Sequence, residues 1–323
     1  MPNYQGVWSL STQYQNRTGW PTFVATGPRG LFMGGEQASG SPKVNTIDFV
    51  DISSTGNATD FGDLSTINWS LASVSSVTRA VAAGGNGDGV AGGINVIEYV
   101  TIASAGNATD FGDLLDQSYE NTGTGSTTRG LIQLGIAGGS SSSDTIEYIT
   151  IASTGNAADF GNLSQGRAYG QDSALSSPTR SVFGGGYTNQ AVNTIDYVTI
   201  ASTGNATDFG DLTVARYGIG AGSSGTRGVF GGGNTSSDTI DYITIASTGN
   251  ASDFGDLTVT ARYVGGTSNS TRAIFGGGQE GSTRRDVIGY ITIASTGNAS
   301  DFGDLTVARN SVTATSGAHG GLG

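Results

Sequence analysis

Residues 194–212 read TIDYVTIASTGNATDFGDL, and the same phrase returns throughout the chain. Close variants begin at Thr46 (TIDFVDISSTGNATDFGDL) and Val96 (VIEYVTIASAGNATDFGDL), with further copies from Thr145, Thr239 and Val287. The Asp before each Phe-Gly falls at Asp60, Asp110, Asp159, Asp208, Asp253 and Asp301, at spacings of 50, 49, 49, 45 and 48 residues. A second feature keeps the same beat: an Arg followed by an apolar pair and glycines, at Arg29, Arg79, Arg129, Arg180, Arg227 and Arg272. A sustained period of this length marks a repeat architecture.

Each unit reads as four short strands. In the fifth copy these are a small-residue strand A (Tyr217 to Ser224), strand B (RGVFGGG, 227–233), strand C (TIDYITI, 239–245) and strand D (ASDFGDL, 251–257). Ile, Tyr and Thr are good strand formers. The Ser-Thr-Gly-Asn stretch between C and D supplies residues that tolerate a tight hairpin. Strand C carries apolar residues on both faces and so requires cover on both sides. No stretch shows a sustained 3.6-residue period, so almost no helix is expected. Six four-stranded units of about 50 residues predict an all-β, six-bladed β-propeller with antiparallel blades. The competing arrangement is a β-solenoid or trimeric β-fibre.

Composition narrows the chemistry. The chain has 323 residues, with 55 Gly, no Cys, a single His and a single Lys, Lys43. It carries 26 acids against 14 Lys and Arg, a net charge of −12. That balance argues against nucleic acid, whose phosphates need clustered cations, and against anionic membranes. Lack of Cys removes disulfides and thiolate chemistry, and one His removes any multi-His metal site. No apolar run approaches a membrane span, and the opening MPNYQGVWSLS lacks the features of a signal peptide. No cofactor and no metal are expected.

The glycine doublet after an apolar pair (Val182, Phe183, Gly185, Gly186), followed by Ile195, Asp196 and Tyr197, resembles a kelch blade. Kelch blades usually carry a Trp in the last strand, where this chain has Phe61, Phe111, Phe160, Phe209, Phe254 and Phe302. The segments expected are an anchor or rim piece at 1–21, the propeller at 22–308 and a tail at 309–323. The tail and the stretch from Trp20 to Thr26 both align with strand A of blade 1, and the small residues of SVTAT favour the tail as the closing strand.

A feature present in every blade more readily builds the blade than binds a unique ligand. The six Arg and the six Asp of the Asp-Phe-Gly triplets are therefore read as structural ion pairs within or between blades, such as Arg227 with Asp208 or Asp253. The Asn-Ala-Thr-Asp-Phe-Gly-Asp run does not follow a calcium-loop pattern, and no kinase motif accompanies the triplet. His319 has no nucleophile motif beside it. The variable B–C loops are the place for recognition, with Trp69, Tyr187, Asn189, Gln190, Glu280, Arg284 and Arg285 as candidate ligand-binding residues, a set suited to a glycan. Tyr4, Trp8, Tyr14 and Trp20 lie outside the repeats, and aromatics of this kind either pack on the rim or anchor the chain in a partner.

The repeats FGGG…TIDYITIASTGNASDFGDL resemble those of virion proteins of tailed phages, marine and cyanobacterial ones especially, and GVWSLSTQYQNRTGWP is similar to leading segments of phage fibre polypeptides. The resemblance implies a non-enzymatic virion structural protein of tail-fibre, head-fibre or capsid-decoration type. Such a protein would be assembled in a bacterial cytoplasm and released by lysis. Its partners would be other virion proteins and a host-surface glycan or protein. Two further readings stand beside it: a kelch-like protein–protein interaction module without a viral role, and a carbohydrate-active enzyme using channel carboxylates.

Overall fold

The alternation of Ile-Asp-Tyr-Ile-Thr with its glycine-rich and small-residue neighbours folds, in every repeat, into one antiparallel sheet. The structure is a computed structural model that describes residues 28–322 except 38–42, 88, 89, 91, 140, 235 and 236. Blade 5 shows the pattern: strand A, Gly220–Ser223, lies innermost, followed outward by B, Arg227–Gly231, C, Thr239–Thr244, and D, Ser252–Asp256. Six such sheets form a propeller ring. Blade 1 combines both ends of the described chain: Thr313–Ser316 pairs with Arg29–Met33, which pairs with Thr46–Asp51. Among the described residues the only helical element is a single 3-10 turn, Gly320–Leu322.

The hydrophobic core sits between blades rather than within them. Between blades 4 and 5, Val182, Ile195 and Phe209 of one sheet meet Ala221, Phe230, Ile243 and Ile245 of the next, all buried. This is why strand C is apolar on both faces: each sheet is sandwiched. Burying an aliphatic or Phe side chain contributes about 1.5–3 kcal/mol.

The Asp-Phe-Gly triplet is a β-bulge. Ile240 pairs with Gly255 and Asp241 with Asp253, so Phe254 is the extra residue. Phe254 turns into the core and meets Tyr242 edge-on at 6.0 Å, a contact repeated in all six blades. The glycine has φ near +145°, and a Cβ there would lie about 2.5 Å from the backbone of the next blade's C–D hairpin, as at Gly210 against Gly249. That hairpin adds to the outer strand: Gly249 N–H donates to Phe209 O at 2.7 Å and Ala251 N–H to Asp211 O at 2.7 Å. The same bonds recur around the ring to Gly56 on Phe302, so every outer edge is covered.

The ion pairs expected of the six repeated Arg are not formed. Each guanidinium lies over the strand C aromatic of its own blade, with Cζ 4.5–4.8 Å from the ring centre of Phe49, Tyr99, Tyr148, Tyr197, Tyr242 and Tyr290. Its Nη1 donates to a carbonyl just past strand C of the next blade: Arg29 to Ile102, Arg79 to Ile151, Arg129 to Ile200, Arg180 to Ile245, Arg227 to Ile293 and Arg272 to Ser53, all at 2.8–3.0 Å. The Arg thus clasps blades together through a fixed carbonyl and a ring face. Asp60, Asp110, Asp159, Asp208, Asp253 and Asp301 are exposed on the outer strands, where their carboxylates keep their hydration.

The ring is closed along its axis. The inner strands end in Ser75, Ser316, Ser268, Ser223 and Ser176, and each hydroxyl donates to the carbonyl of the next in that order, ending on Gly125 O, at 2.5–2.8 Å. At one mouth Gln171 reaches across to Ser70 Oγ and Ser311 Oγ, both 3.3 Å, and Asp172 accepts from Gly266 N–H at 3.0 Å and Ala314 N–H at 2.5 Å. At the other mouth His319 Nε2 faces Ser75 O at 3.4 Å, while its Nδ1 accepts from Gly321 N–H at 3.1 Å. Nδ1 as acceptor requires a neutral ring, and burial pushes its pKa down to about 4. A cavity of about 30 Å³ remains between these plugs, room for a water or two.

Candidate functional site

With the axis filled, the outward surfaces remain for ligands, and the two faces differ in kind. One carries the repeated A–B and C–D turns. The other carries the B–C loops and the D–A connectors, where the blades diverge.

The connectors are anchored by buried acids at the third position of strand C. Three are met by a buried Arg of the connector: Arg309 with Asp48 at 3.0 Å, Arg167 with Asp196 at 3.2 Å and Arg216 with Asp241 at 2.8 Å. In blade 6 Gly289 replaces the acid and Ala261, also buried, takes the Arg position, so both charges are lost together. Breaking a buried pair by removing one partner costs about 3–5 kcal/mol, whereas removing both avoids the stranded charge. Blades 2 and 3 keep an acid without an Arg. Glu98 accepts from Ser65 N–H at 2.7 Å and Glu147 from Leu115 N–H at 3.1 Å. Burial raises the pKa of both, that of Glu147 to about 7.

Three departures from the repeat meet in one sector of this face. The B–C loop of blade 3 forms a hairpin, Ile136–Ala137 with Ser141–Ser142, which adds to the long outer strand of blade 2, Thr109–Tyr119. The connector into blade 4 is longer than its counterpart into blade 5 and carries Tyr169 together with the Gln171–Asp172 plug. The B–C loop of blade 4 brings Tyr187 onto that connector through paired main-chain bonds with Ala168 at 2.9 and 3.0 Å. Ser142 Oγ donates to Tyr187 O at 3.3 Å, joining hairpin to loop.

These elements enclose an open cleft of about 560 Å³, lined by Ile136, Ser141, Ser142, Tyr169, Tyr187 and Asn189 among others. Tyr169 and Tyr187 meet edge-on at 5.5 Å, and Tyr217 touches both at 5.2 Å. Tyr263 continues the cluster, 6.3 Å from Tyr169. Behind it Glu120 is buried, with Oε2 unpartnered and its carboxyl hydrogen-bonded by the Tyr169 N–H. Burial pushes its pKa up to about 8, so the acid is largely neutral at neutral pH.

The connectors are strained where they turn into strand A. Ser70, Glu120, Tyr169, Tyr263 and Ser311 have φ between +52° and +59°, with Gly218 at +65° in the corresponding place. A left-handed non-glycine residue costs on the order of 1–3 kcal/mol and persists where its surroundings hold it. Here main-chain bonds do so: Gly218 N–H to Tyr169 O at 2.9 Å, Tyr263 N–H to Gly218 O at 2.7 Å and Ser311 N–H to Tyr263 O at 3.0 Å.

Of the residues singled out in the sequence, Tyr187 and Asn189 line the cleft, and Gln190 is exposed on the same loop. Trp69 lies elsewhere, between blades 1 and 2, with Lys43 Nζ 5.5 Å from its ring. Arg284 is taken up by Glu36 at 2.8 Å, and Arg285 pairs with Glu280, which also accepts from Thr260 Oγ1 at 2.9 Å. These three therefore pin loops. Tyr4, Trp8, Tyr14 and Trp20 lie outside the described residues. Sequence reasoning missed Tyr169, Tyr217 and Tyr263; the readable signal was a bulky ring at Tyr169 and Tyr263, where the connectors after blades 1 and 6 carry Ser70 and Ser311.

The chain matches no known family of proteins, and no curated protein is significantly similar to it.

Proposed function

We propose that this chain is a non-enzymatic structural protein of a tailed-phage virion, displaying a propeller whose loop face attaches to the host surface. The observation that supports this most is the convergence of the blade 3 hairpin, the lengthened connector into blade 4 and the blade 4 loop on one tyrosine-lined cleft. Variable loops on a rigid scaffold are where recognition concentrates. The filled axis is consistent with it, because a channel holding Gln171, Asp172 and His319 leaves only about 30 Å³ for a ligand. The virion assignment rests on the resemblance of the repeats and the leading segment to phage fibre and head proteins; the propeller itself is compatible with many functions.

Two experiments test the two halves. Peptide mass spectrometry of purified particles should find the chain as a stoichiometric component, and its absence refutes the virion role. Excess recombinant chain should compete with those particles for adsorption to host cells. Undiminished adsorption refutes attachment and leaves decoration or assembly as the role.

A further inference from the structure

We infer that the cleft between blades 3 and 4 is a binding site for a neutral saccharide of one or two rings, one that discriminates against acidic glycans. This deepens the attachment reading and rests on it. About 560 Å³ lies within the range of small-ligand sites. Two of the nine lining residues are aromatic: Tyr169 and Tyr187 meet at 89°, giving a ligand two ring surfaces at a corner. Sugar C–H faces pack on such rings while the hydroxyls require donors and acceptors. Those are supplied by Ser141, Ser142, Thr188 and the exposed Asn189 amide.

Charge sets the class. Among the described residues lining the cleft, none is charged. The Arg nearest in sequence, Arg167, is committed to Asp196 and to the carbonyls of Thr194 and Phe183. Among the described residues, the cleft lining thus offers no cation to pair with a sialic acid, uronic acid or phosphate group. The chain's net charge of −12 further repels an anionic polymer.

The test is saturation-transfer NMR on the full recombinant chain, with neutral gluco-, galacto-, manno- and N-acetylglucosamine disaccharides and, as counter-probes, sialyl-lactose and an alginate dimer. The inference predicts transfer to at least one neutral probe and none to the acidic ones. Tyr187→Ala should weaken binding at least tenfold. Asn189→Ala, at an exposed position that leaves the fold untouched, should weaken it at least threefold, and Trp69→Ala should not alter it. Preference for an acidic probe, or no transfer from any neutral one, overturns the inference. If cells bind the chain through Tyr187 while every saccharide fails, attachment stands and the ligand is a protein. If a saccharide binds while cells do not, the site stands and the attachment role falls.

Discussion

Asp172 offers a sharp test of how the ring is held along its axis. Its Oδ1, Thr313 Oγ1, Ser73 Oγ and Ala314 O form a chain with contacts of 2.5, 2.9 and 3.0 Å. Ser73 and Thr313 contribute one hydroxyl proton each. With Asp172 ionised, those two protons serve three contacts, and one pair of oxygens faces without a hydrogen. A proton on Asp172 gives every contact its own. Burial likewise pushes its pKa from 3.8 up to about 8. The consequence for stability has a definite sign. The unfolded chain releases this proton near pH 3.8 and the folded one only near 8. The contribution is thus full below pH 3.8 and is lost as pH rises toward 8. At about 1.4 kcal/mol per unit, the loss between pH 5 and 8 is on the order of 4 kcal/mol. In Asp172→Asn the amide donates to Thr313 and its carbonyl accepts from Gly266 and Ala314, with no proton to hold. Unfolding entropy near 2.1 cal/mol/K per residue gives roughly 0.7 kcal/mol/K for 323 residues. The Tm of the variant minus that of the wild type should therefore rise by about 6 °C between pH 5 and pH 8, measured by calorimetry. A difference independent of pH, or one that falls, would show that the buried carboxylate is ionised and refute the proton count.

Other consequences follow from the same geometry. Gly210→Ala forces a Cβ to about 2.5 Å from Gly249 at a left-handed φ; it should destabilise by about 2–4 kcal/mol in chemical unfolding, and a loss under 1 kcal/mol would contradict the hairpin contact. Arg216→Ala strands Asp241 and should cost about 3–5 kcal/mol, while adding Asp241→Gly, the combination found naturally at Ala261 and Gly289, should recover part of it; additive losses would contradict that reading. Glu120 and Glu147 act with Asp172, since their raised pKa values of about 8 and 7 mean stability lost as pH climbs from 4.5. His319 acts oppositely, its contribution full above 6.5 and lost as pH falls toward 4. The Tm of the unmodified chain should fall from pH 5 to pH 8, and a rise over that range would contradict the net balance.

The blade count, strand order and near absence of helix were legible because the repeats are written out almost verbatim. The function of the repeated residues was less so. Arg227 and Asp253 share a beat, but periodicity does not reveal that the carbonyl just past strand C of the next blade, Ile293 O, is the nearer partner. Nor does it reveal that the glycine of Asp-Phe-Gly is required by a neighbouring hairpin. The buried pairs had a readable signal: an acid at the centre of an apolar strand needs a partner, and Arg167, Arg216 and Arg309 occupy one connector position. In the candidate site Tyr187 and Asn189 were legible as loop residues. Tyr169, Tyr217 and Tyr263 were masked by their adjacency to strand A, because only the closed ring brings successive connectors together.

We propose the tyrosine-lined cleft of a ring sealed along its axis as the surface that meets a host. The most direct test is co-sedimentation of labelled chain with intact host-type bacterial cells. Wild type would be compared with Tyr187→Ala, with Asn189→Ala and with a chain whose blade 3 loop, 136–143, is shortened to the length of the blade 5 loop. The account predicts saturable binding by wild type, reduced at least tenfold by the shortened loop and by Tyr187→Ala, with all variants folded by circular dichroism. Saturable binding that survives all three changes would place recognition elsewhere on the propeller and contradict the account.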